Sequence, residues 1–279
     1  MRGLPASGKS TRAKEIMEGG NWYRVNRDLL RTMLHFDKFT GRNEEVTINL
    51  QKLVVASMLS EGKNVIVDDT NLGQSHEDQW RLMAEMYNTT FEVVDMKTPF
   101  RVSIERNKGR LGGVPESVIR NMALQYGLFE AMRNIVIVDI DGTVADCTHR
   151  QHFVQNVQKK DWKGFFSQLH LDTPRKEVYE DACEVAREND AEIVFVSARP
   201  EDYREGTERW LRDNKMDYIA LVMRRKGDSR PDTDVKRDIY NRYLKQYDVV
   251  KVFDDRPAVI RMWEAEGLDV EDVGNGEEF

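Results

Sequence analysis

Gly3-Leu-Pro-Ala-Ser-Gly8-Lys9-Ser10-Thr11 satisfies GxxxxGKS at the start of the chain, and no other stretch restricts the fold as much. The spacing supplies a glycine-rich nest of backbone N–H groups, a lysine that reaches β- and γ-phosphates, and a hydroxyl for Mg²⁺. All of these open a helix whose N-terminus favours negative charge. Gly3, Ser7, Gly8, Lys9, Ser10 and Thr11 are therefore candidate contacts for ATP, with Ser10 also on the metal. The alternative is a glycine-rich turn before an amphipathic helix. Such a loop normally follows a buried β-strand, yet only Met1 and Arg2 precede it. The expectation is that a first strand is missing here, and that adding an apolar one raises stability and ATP turnover.

Asn26-Arg27-Asp28-Leu29-Leu30-Arg31 begins a helical pattern that runs through Phe36. Asp28 stands where a helix starts, so it is either an N-terminal cap or, at the mouth of a nucleotide site, a general base for an acceptor hydroxyl. Arg31, three residues on, faces an acceptor phosphate or solvent. A helix over Asn43 to Leu59 leads into Lys63-Asn-Val-Ile-Val-Asp68-Asp69, an apolar run ending in acids that resembles a Walker B strand. Asp69 is read as the functional one of the pair, orienting Mg²⁺ or the acceptor, against ordinary turn chemistry for both. A further strand is expected from Phe91 to Met96. On the basic helix that follows, Arg106 and Arg110 share a face and suit a lid over transferring phosphates, hinged at Gly112-Gly113-Val-Pro115; a solvated face is the alternative. A helix from Pro115 to Met132 closes this half.

Ile135-Val-Ile-Val-Asp139-Ile-Asp141-Gly142-Thr143 reads as a buried strand of a parallel sheet with carboxylates at its C-terminal end. In extended backbone residues i and i+2 share a face, so Asp139 and Asp141 are expected to address one ligand. Asp139 would attack phosphorus to form an aspartyl-phosphate, while Asp141 protonates the leaving oxygen and then deprotonates water. Adjacent carboxylates repel unless a cation lies between them, which implies Mg²⁺. After a helix near Glu177 to Asn189, Ile193-Val-Phe-Val-Ser197-Ala-Arg199 is a second buried strand, ending in a hydroxyl that can donate to phosphate. Thr233-Asp-Val-Lys236 sets a lysine at a helix start, a poor place for a cation without an anionic partner. Val249-Val-Lys-Val-Phe-Asp254-Asp255 is a strand ending in paired acids suited to a Mg²⁺ site. Singly, Ser197, Lys236 and Asp255 also read as turn or cap residues; their order along the chain argues against coincidence.

Between the first two of these motifs, Asp146 to Leu171 holds His149, His152, Phe153, Trp162, Phe165, Phe166 and His170. The histidine spacings fit no zinc pattern and lack a thiolate partner. The aromatics are expected to pack a small helical cap, with stacking on a base left open. Arg224, Arg225, Lys226 and Arg230 form a basic patch that could grip a polyanionic leaving group.

The net charge of −7 and pI ≈ 5.4 argue against coating long nucleic acid, which depends on summed phosphate neutralisation. Gripping one end through a few local arginines remains compatible with it. No apolar segment approaches the roughly 20 residues of a membrane helix, and no signal-peptide core is present, so a cytoplasmic protein without a membrane partner is expected. Cys147 and Cys183 read as incidental thiols, and the acidic tail from Glu271 as a solvated end. Two domains are expected, 1–133 and 134–279, with almost no linker.

Nearly end to end, and in the same domain order, these motifs resemble those of the phage-type bifunctional polynucleotide 5′-kinase/3′-phosphatase family, a P-loop kinase fused to a haloacid-dehalogenase-type phosphatase. The resemblance implies a two-domain α/β fold: an N-terminal P-loop kinase parallel sheet and a C-terminal Rossmann-like phosphatase with a small helical cap. It implies that Lys9 and Ser10 bind the donor phosphates and Mg²⁺, that Asp28 is the base for the 5′-hydroxyl, that Arg31 and Asp69 serve the acceptor, and that Arg106 and Arg110 form the lid. In the phosphatase it implies Asp139 as nucleophile, Asp141 as general acid/base, and Ser197, Arg199, Arg224 and Lys236 as phosphate or substrate contacts. Asp254 and Asp255, with Asp139 and Asp141, would complete the metal site.

The function so implied is end healing of RNA or DNA: phosphorylation of 5′-hydroxyls by ATP and Mg²⁺-dependent removal of 3′-phosphates, 2′,3′-cyclic phosphates included. The resemblance also admits a homo-oligomer. Two opposed phosphoryl transfers on one free metabolite would cycle futilely, whereas two ends of a broken strand avoid this. A small-molecule kinase fused to a nucleotidase or sugar phosphatase, and an adaptor that binds ATP without transfer, stay open as rivals.

Overall fold

The computed structural model describes residues 1–129, 134–155 and 157–276. It divides into two units, Met1–Leu128 and Phe129–Phe279. The helix expected to run to Met132 stops at Gln125, where Tyr126 caps it and a turn follows; Arg133, on the expected boundary, lies outside the described residues.

The N-terminal unit contains, in order, α1 (Lys9–Glu18), β1 (Trp22–Val25), α2 (Arg27–His35), α3 (Gly41–Ser60), β2 (Asn64–Val67), α4 (Gln74–Met86), α5 (Phe100–Lys108) and α6 (Glu116–Gln125). β1 and β2 pair in parallel, Trp22 opposite Asn64 through Val25 opposite Val67. Beyond this pair, Arg2 bridges in parallel to Asp95, its N–H donating to Val94 O at 2.9 Å and its carbonyl accepting from Met96 N at 2.8 Å. The strand expected over Phe91 to Met96 is reduced to this bridge, because Gly3 turns away with φ 153° and its N–H bonds to Thr70 O instead. Val25, Val55 and Trp80 form the buried core between sheet and helices. Helix α2 is capped by the Asn26 side chain, which accepts from Leu29 N, so Asp28 is not needed as the cap.

In the C-terminal unit, four successive apolar residues in β3 (Asn134–Val138) have to be buried on both faces. The unit supplies that cover with β4 (Ala145–Asp146), α7 (Trp162–Ser167), β5 (Thr173–Pro174), α8 (Lys176–Glu188), β6 (Ala191–Pro200), α9 (Arg204–Asp213), β7 (Ala220–Arg224), α10 (Asp232–Ile239), β8 (Asp248–Asp254), α11 (Pro257–Ala265) and β9 (Val270–Asp272). The parallel sheet has the order β7-β6-β3-β8-β9. Strand β3 therefore sits where the order reverses, and ligands of open α/β sheets bind outside the carboxyl ends at that point.

A short 3₁₀ helix (Thr148–Phe153) and α7 make a cap cored by Cys147, Val154, Phe165 and Phe166. The acidic tail is not merely solvated, since Val270–Asp272 adds an edge strand to Val252–Asp254. Among the described residues no helix is long and apolar enough to cross a membrane.

Candidate active sites

In the N-terminal unit the loop before α1 is bent through left-handed backbone at Ala6 (φ 59°) and Gly8 (φ 96°), the kind of conformation from which anion-binding nests are built. A Cβ on Gly3 would lie 2.7 Å from Ser7 Oγ, so that position excludes any side chain. Lys9 is buried, and its Nζ donates to the carbonyls of Gly3 (2.9 Å) and Leu4 (2.6 Å). Burial lowers its pKa to about 8, against the attraction of Asp68. Ser7 Oγ is buried with no hydrogen-bond partner among the described residues. That unsatisfied donor beside an N–H nest and a lysine fits a polyphosphate.

A cavity of about 1150 Å³ brings Ser10, Thr11, Asp28, Arg31, Arg106 and Arg110 to this loop. Asp28 is exposed and paired with Arg31 (Oδ1 to Nη1, 2.6 Å), which also holds Glu44 at 2.9 Å. The two acids after β2 both line this cavity but take different partners. Asp69 accepts from Arg27 N (2.8 Å) and Gln51 Nε2 (2.5 Å), tying α2 to α3. Asp68 is the buried one and pairs with Arg24, whose Nη2 also reaches Ser10 Oγ at 3.4 Å. Asp68 thus stands on the side of Ser10 and Lys9. Arg106 and Arg110 do not share a helix face, because α5 ends at Lys108 and Gly109 caps it; Arg110 lies in the following turn. The glycine hinge is tied back by Asn107, whose side chain bonds both the N–H and the carbonyl of Val114.

In the C-terminal unit, carboxylate oxygens of Asp139, Asp254 and Asp255 come within 4.8 Å of one another. Lys236 Nζ lies 2.9 Å from Asp139 Oδ1 and 2.7 Å from Asp254 Oδ2. Burial and the neighbouring acids push Asp139 well above the usual carboxylate range, with Lys236 opposing; burial and Asp254 bring Asp255 up to about 6. Three hard oxygen donors whose charges repel one another fit a divalent cation such as Mg²⁺. Burial alone would lower Lys236, but Asp139 and Asp254 more than offset it and raise it. Lys236 is not at the helix start: α10 begins at Asp232 after Pro231, so the lysine is a full turn in and its anions are these two aspartates.

Asp141 does not join the metal cluster. Strand β3 ends at Val138 and Ile140 lies in a turn, so the two-residue periodicity no longer applies. Its carboxylate instead meets two fully buried arginines. Arg199 donates from Nε (3.0 and 3.1 Å) and Nη2 (2.6 Å), and Arg150 donates from Nη2. Asp172 shares both guanidiniums with Asp141, 2.6 Å from Arg150 Nε and 2.8 Å from Arg199 Nη2, and His149 Nε2 lies 3.0 Å from it. Burial would raise the Asp141 pKa, but Arg199 and Arg150 overcome it and hold the group well below the usual range.

Arg199, expected to touch substrate, has no exposed surface, and its guanidinium is spent on Asp141, Asp172 and Thr207. Ser197 Oγ is buried at the end of β6, accepting from Arg199 N at 3.2 Å. Arg224 lines the cavity but spends its guanidinium on Ala198 O, Arg230 O and Asp232. Lys226 and Arg230 are likewise paired, with Asp202 and Asp228, so the basic patch is largely neutralised. Arg150 and Asp172 were not singled out by sequence reasoning. Neither belongs to a motif, and they meet across 22 residues.

Buried acids and a lysine at the carboxyl ends of a parallel sheet, under a small helical cap, define a haloacid-dehalogenase-type unit. The family model for the polynucleotide kinase PNKP phosphatase domain matches residues 133–278, and the chain belongs to that family. A model described as an AAA domain matches residues 1–129.

A putative bifunctional polynucleotide kinase/RNA ligase of Autographa californica nuclear polyhedrosis virus is 29% identical over 295 aligned residues, covering 94% of this chain and 40% of that protein. An L-seryl-tRNA(Sec) kinase of Methanococcus maripaludis is 26% identical over 153 residues, covering 54% of this chain and 59% of its own length. The chain thus spans about half the length of the curated relatives it matches. A chain in the structure of the Pnkp1/Rnl/Hen1 RNA repair complex is 25% identical, with 99% of this chain and 95% of that one covered and a TM-score of 0.45.

Proposed function

We propose that the chain heals nucleic-acid ends, with residues 134–279 removing 3′-phosphates and residues 1–133 phosphorylating 5′-hydroxyls with ATP. The observation that carries this reading is the pairing, in one family member, of a Lys236-bound Asp139 amid acids with a lysine- and serine-bearing phosphate loop. The viral relative, named as a polynucleotide kinase and RNA ligase, favours RNA ends as the substrate.

In the phosphatase reaction Lys236 holds Asp139 Oδ1, orienting the carboxylate whose oxygen attacks phosphorus; the P–O bond to the 3′-oxygen breaks as the aspartyl-phosphate forms. Asp141, kept ionised by Arg150 and Arg199, is matched to taking the proton of the hydrolytic water. To protonate the departing 3′-oxygen it must first gain a proton, which a loosened arginine clamp would permit. Asp139, Asp254 and Asp255 would hold Mg²⁺, which neutralises phosphate charge. In the kinase reaction Asp28 takes the proton of the 5′-hydroxyl, and Arg31 exchanges a carboxylate for an acceptor phosphate. Lys9 leaves the carbonyls of Gly3 and Leu4 for the transferring phosphates, and Arg106 and Arg110 flank them.

The test is release of phosphate from a 3′-phosphorylated oligonucleotide with Mg²⁺. Wild type should release it and Asp139→Ala should not. Intact release by Asp139→Ala overturns the nucleophile, and preference for free nucleotides or sugar phosphates overturns the polynucleotide substrate.

A further inference from the structure

The cap presents one aromatic ring that its own core does not consume. Phe165 and Phe166 are buried, whereas Trp162 remains 44% exposed and lines the same cavity, about 800 Å³, as Asp139 and Lys236. The indole is held from behind: it stacks on Phe166 (centroids 6.0 Å apart, interplanar 21°) and meets Phe165 edge-on at 5.8 Å. Tyr203 packs on Phe166 at 5.1 Å and lines the cavity too.

The cations lining the cavity are not all alike. Arg224 and Arg230 are paired with aspartates, while Lys160 and Lys163, flanking Trp162, enter no ion pair among the described residues. Lys160 Nζ lies 5.3 Å from the indole centroid, and Asp161 between them spends its carboxylate on Gly164 N as the cap of α7. A half-exposed ring beside two ammonium groups that no carboxylate neutralises, one of them lying over the ring, suits a flat heterocycle attached to a phosphodiester.

We infer that Trp162 is the platform for the base of the 3′-terminal nucleotide, and that Lys160 and Lys163 contact the phosphodiester joining it to the strand. This rests on the 3′-phosphatase reading and makes the cap, rather than the arginines, the part that distinguishes a polynucleotide end from a simple phosphate ester.

The test compares kcat/KM for a 3′-phosphorylated oligonucleotide with that for the same strand lacking its terminal base. Trp162→Leu, which keeps apolar packing on Phe165 and Phe166, should lower this ratio on the order of tenfold, and Trp162→Phe should restore most of it. The exposed pair Lys160→Gln and Lys163→Gln, which cannot disturb the cap core, should lower the ratio of oligonucleotide to nucleoside 3′-monophosphate. An unchanged ratio in either variant, with wild type active on the oligonucleotide, overturns the inference alone. Absence of oligonucleotide turnover by wild type overturns the 3′-phosphatase reading and the inference with it.

Discussion

Arg199 grips Asp141 through three hydrogen bonds of 2.6 to 3.1 Å while having no exposed surface of its own. A buried guanidinium in that position fixes both the rotamer and the ionisation of the carboxylate. Removing it leaves Asp141 with Arg150, and Asp172 with Arg150 and His149; breaking a buried pair in this way costs about 3–5 kcal/mol. Arg199→Ala should lower the urea midpoint accordingly. Asp141→Asn should slow hydrolysis of a 3′-phosphorylated strand by roughly 10²–10⁴-fold. It should slow p-nitrophenyl phosphate less, because that leaving group needs no proton.

Lys236 is the only cation bonded to both Asp139 and Asp254 among the described residues. Lys236→Met leaves three neighbouring acids without it, so an uncompensated buried charge should destabilise the chain by about 3–5 kcal/mol in a chelator. Added Mg²⁺ should recover part of that loss by binding the folded acids. Thermal unfolding with and without Mg²⁺ measures both; equal midpoints would contradict the metal assignment.

Gly142 has φ 82°, and a Cβ there would lie 2.0 Å from Asp255 Oδ2 and 2.5 Å from its Cγ. Gly142→Ala must therefore push Asp255 out of the acid cluster, besides a backbone cost of about 1–2 kcal/mol. A Mg²⁺ titration of phosphate release should show weakened metal dependence and lower maximal activity, with 5′-phosphorylation retained.

Lys9 has its pKa lowered from 10.5 to about 8 by burial. Below about pH 8 the native and unfolded chains both carry the proton, and the cost of burying the charge is present in full. Between about 8 and 10.5 the native chain has lost the proton and the unfolded chain has not, so stability rises with pH. Relative to Lys9→Met, which has no such proton, wild type should gain up to about 3 kcal/mol across that window. Urea unfolding at pH 7.5 and 10 checks this, and a constant difference would contradict it.

The parts of the fold and sites visible in the sequence are those set by local pattern. Ile135 to Val138 can be buried only inside a covered sheet, and the acids after that run and after Val249 to Phe253 meet because parallel strands end on one side. Pairings between distant residues left no local trace. Arg150 and Arg199 reach Asp141 across 9 and 58 residues, and Asp172 joins them from between. Asp68 and Asp69 are indistinguishable by position in the sequence. Only the packing of α2 and α3 turns Asp69 toward Gln51 and leaves Asp68 facing Arg24. The spacing of Arg106 and Arg110 predicts a shared helix face, but Gly109 ends the helix first. The spacing of Lys236 points to a helix-start cation, whereas its partners in the fold are Asp139 and Asp254, a turn into α10.

The most direct measurement uses one RNA oligonucleotide carrying both a 5′-hydroxyl and a 3′-phosphate, incubated with γ-labelled ATP and Mg²⁺. Wild type should yield a labelled 5′-phosphate and a 3′-hydroxyl, Lys9→Met only the 3′-hydroxyl, and Asp139→Asn only the labelled 5′-phosphate. Loss of both reactions in either folded variant, or retention of both, would contradict two separate phosphoryl-transfer sites in this chain.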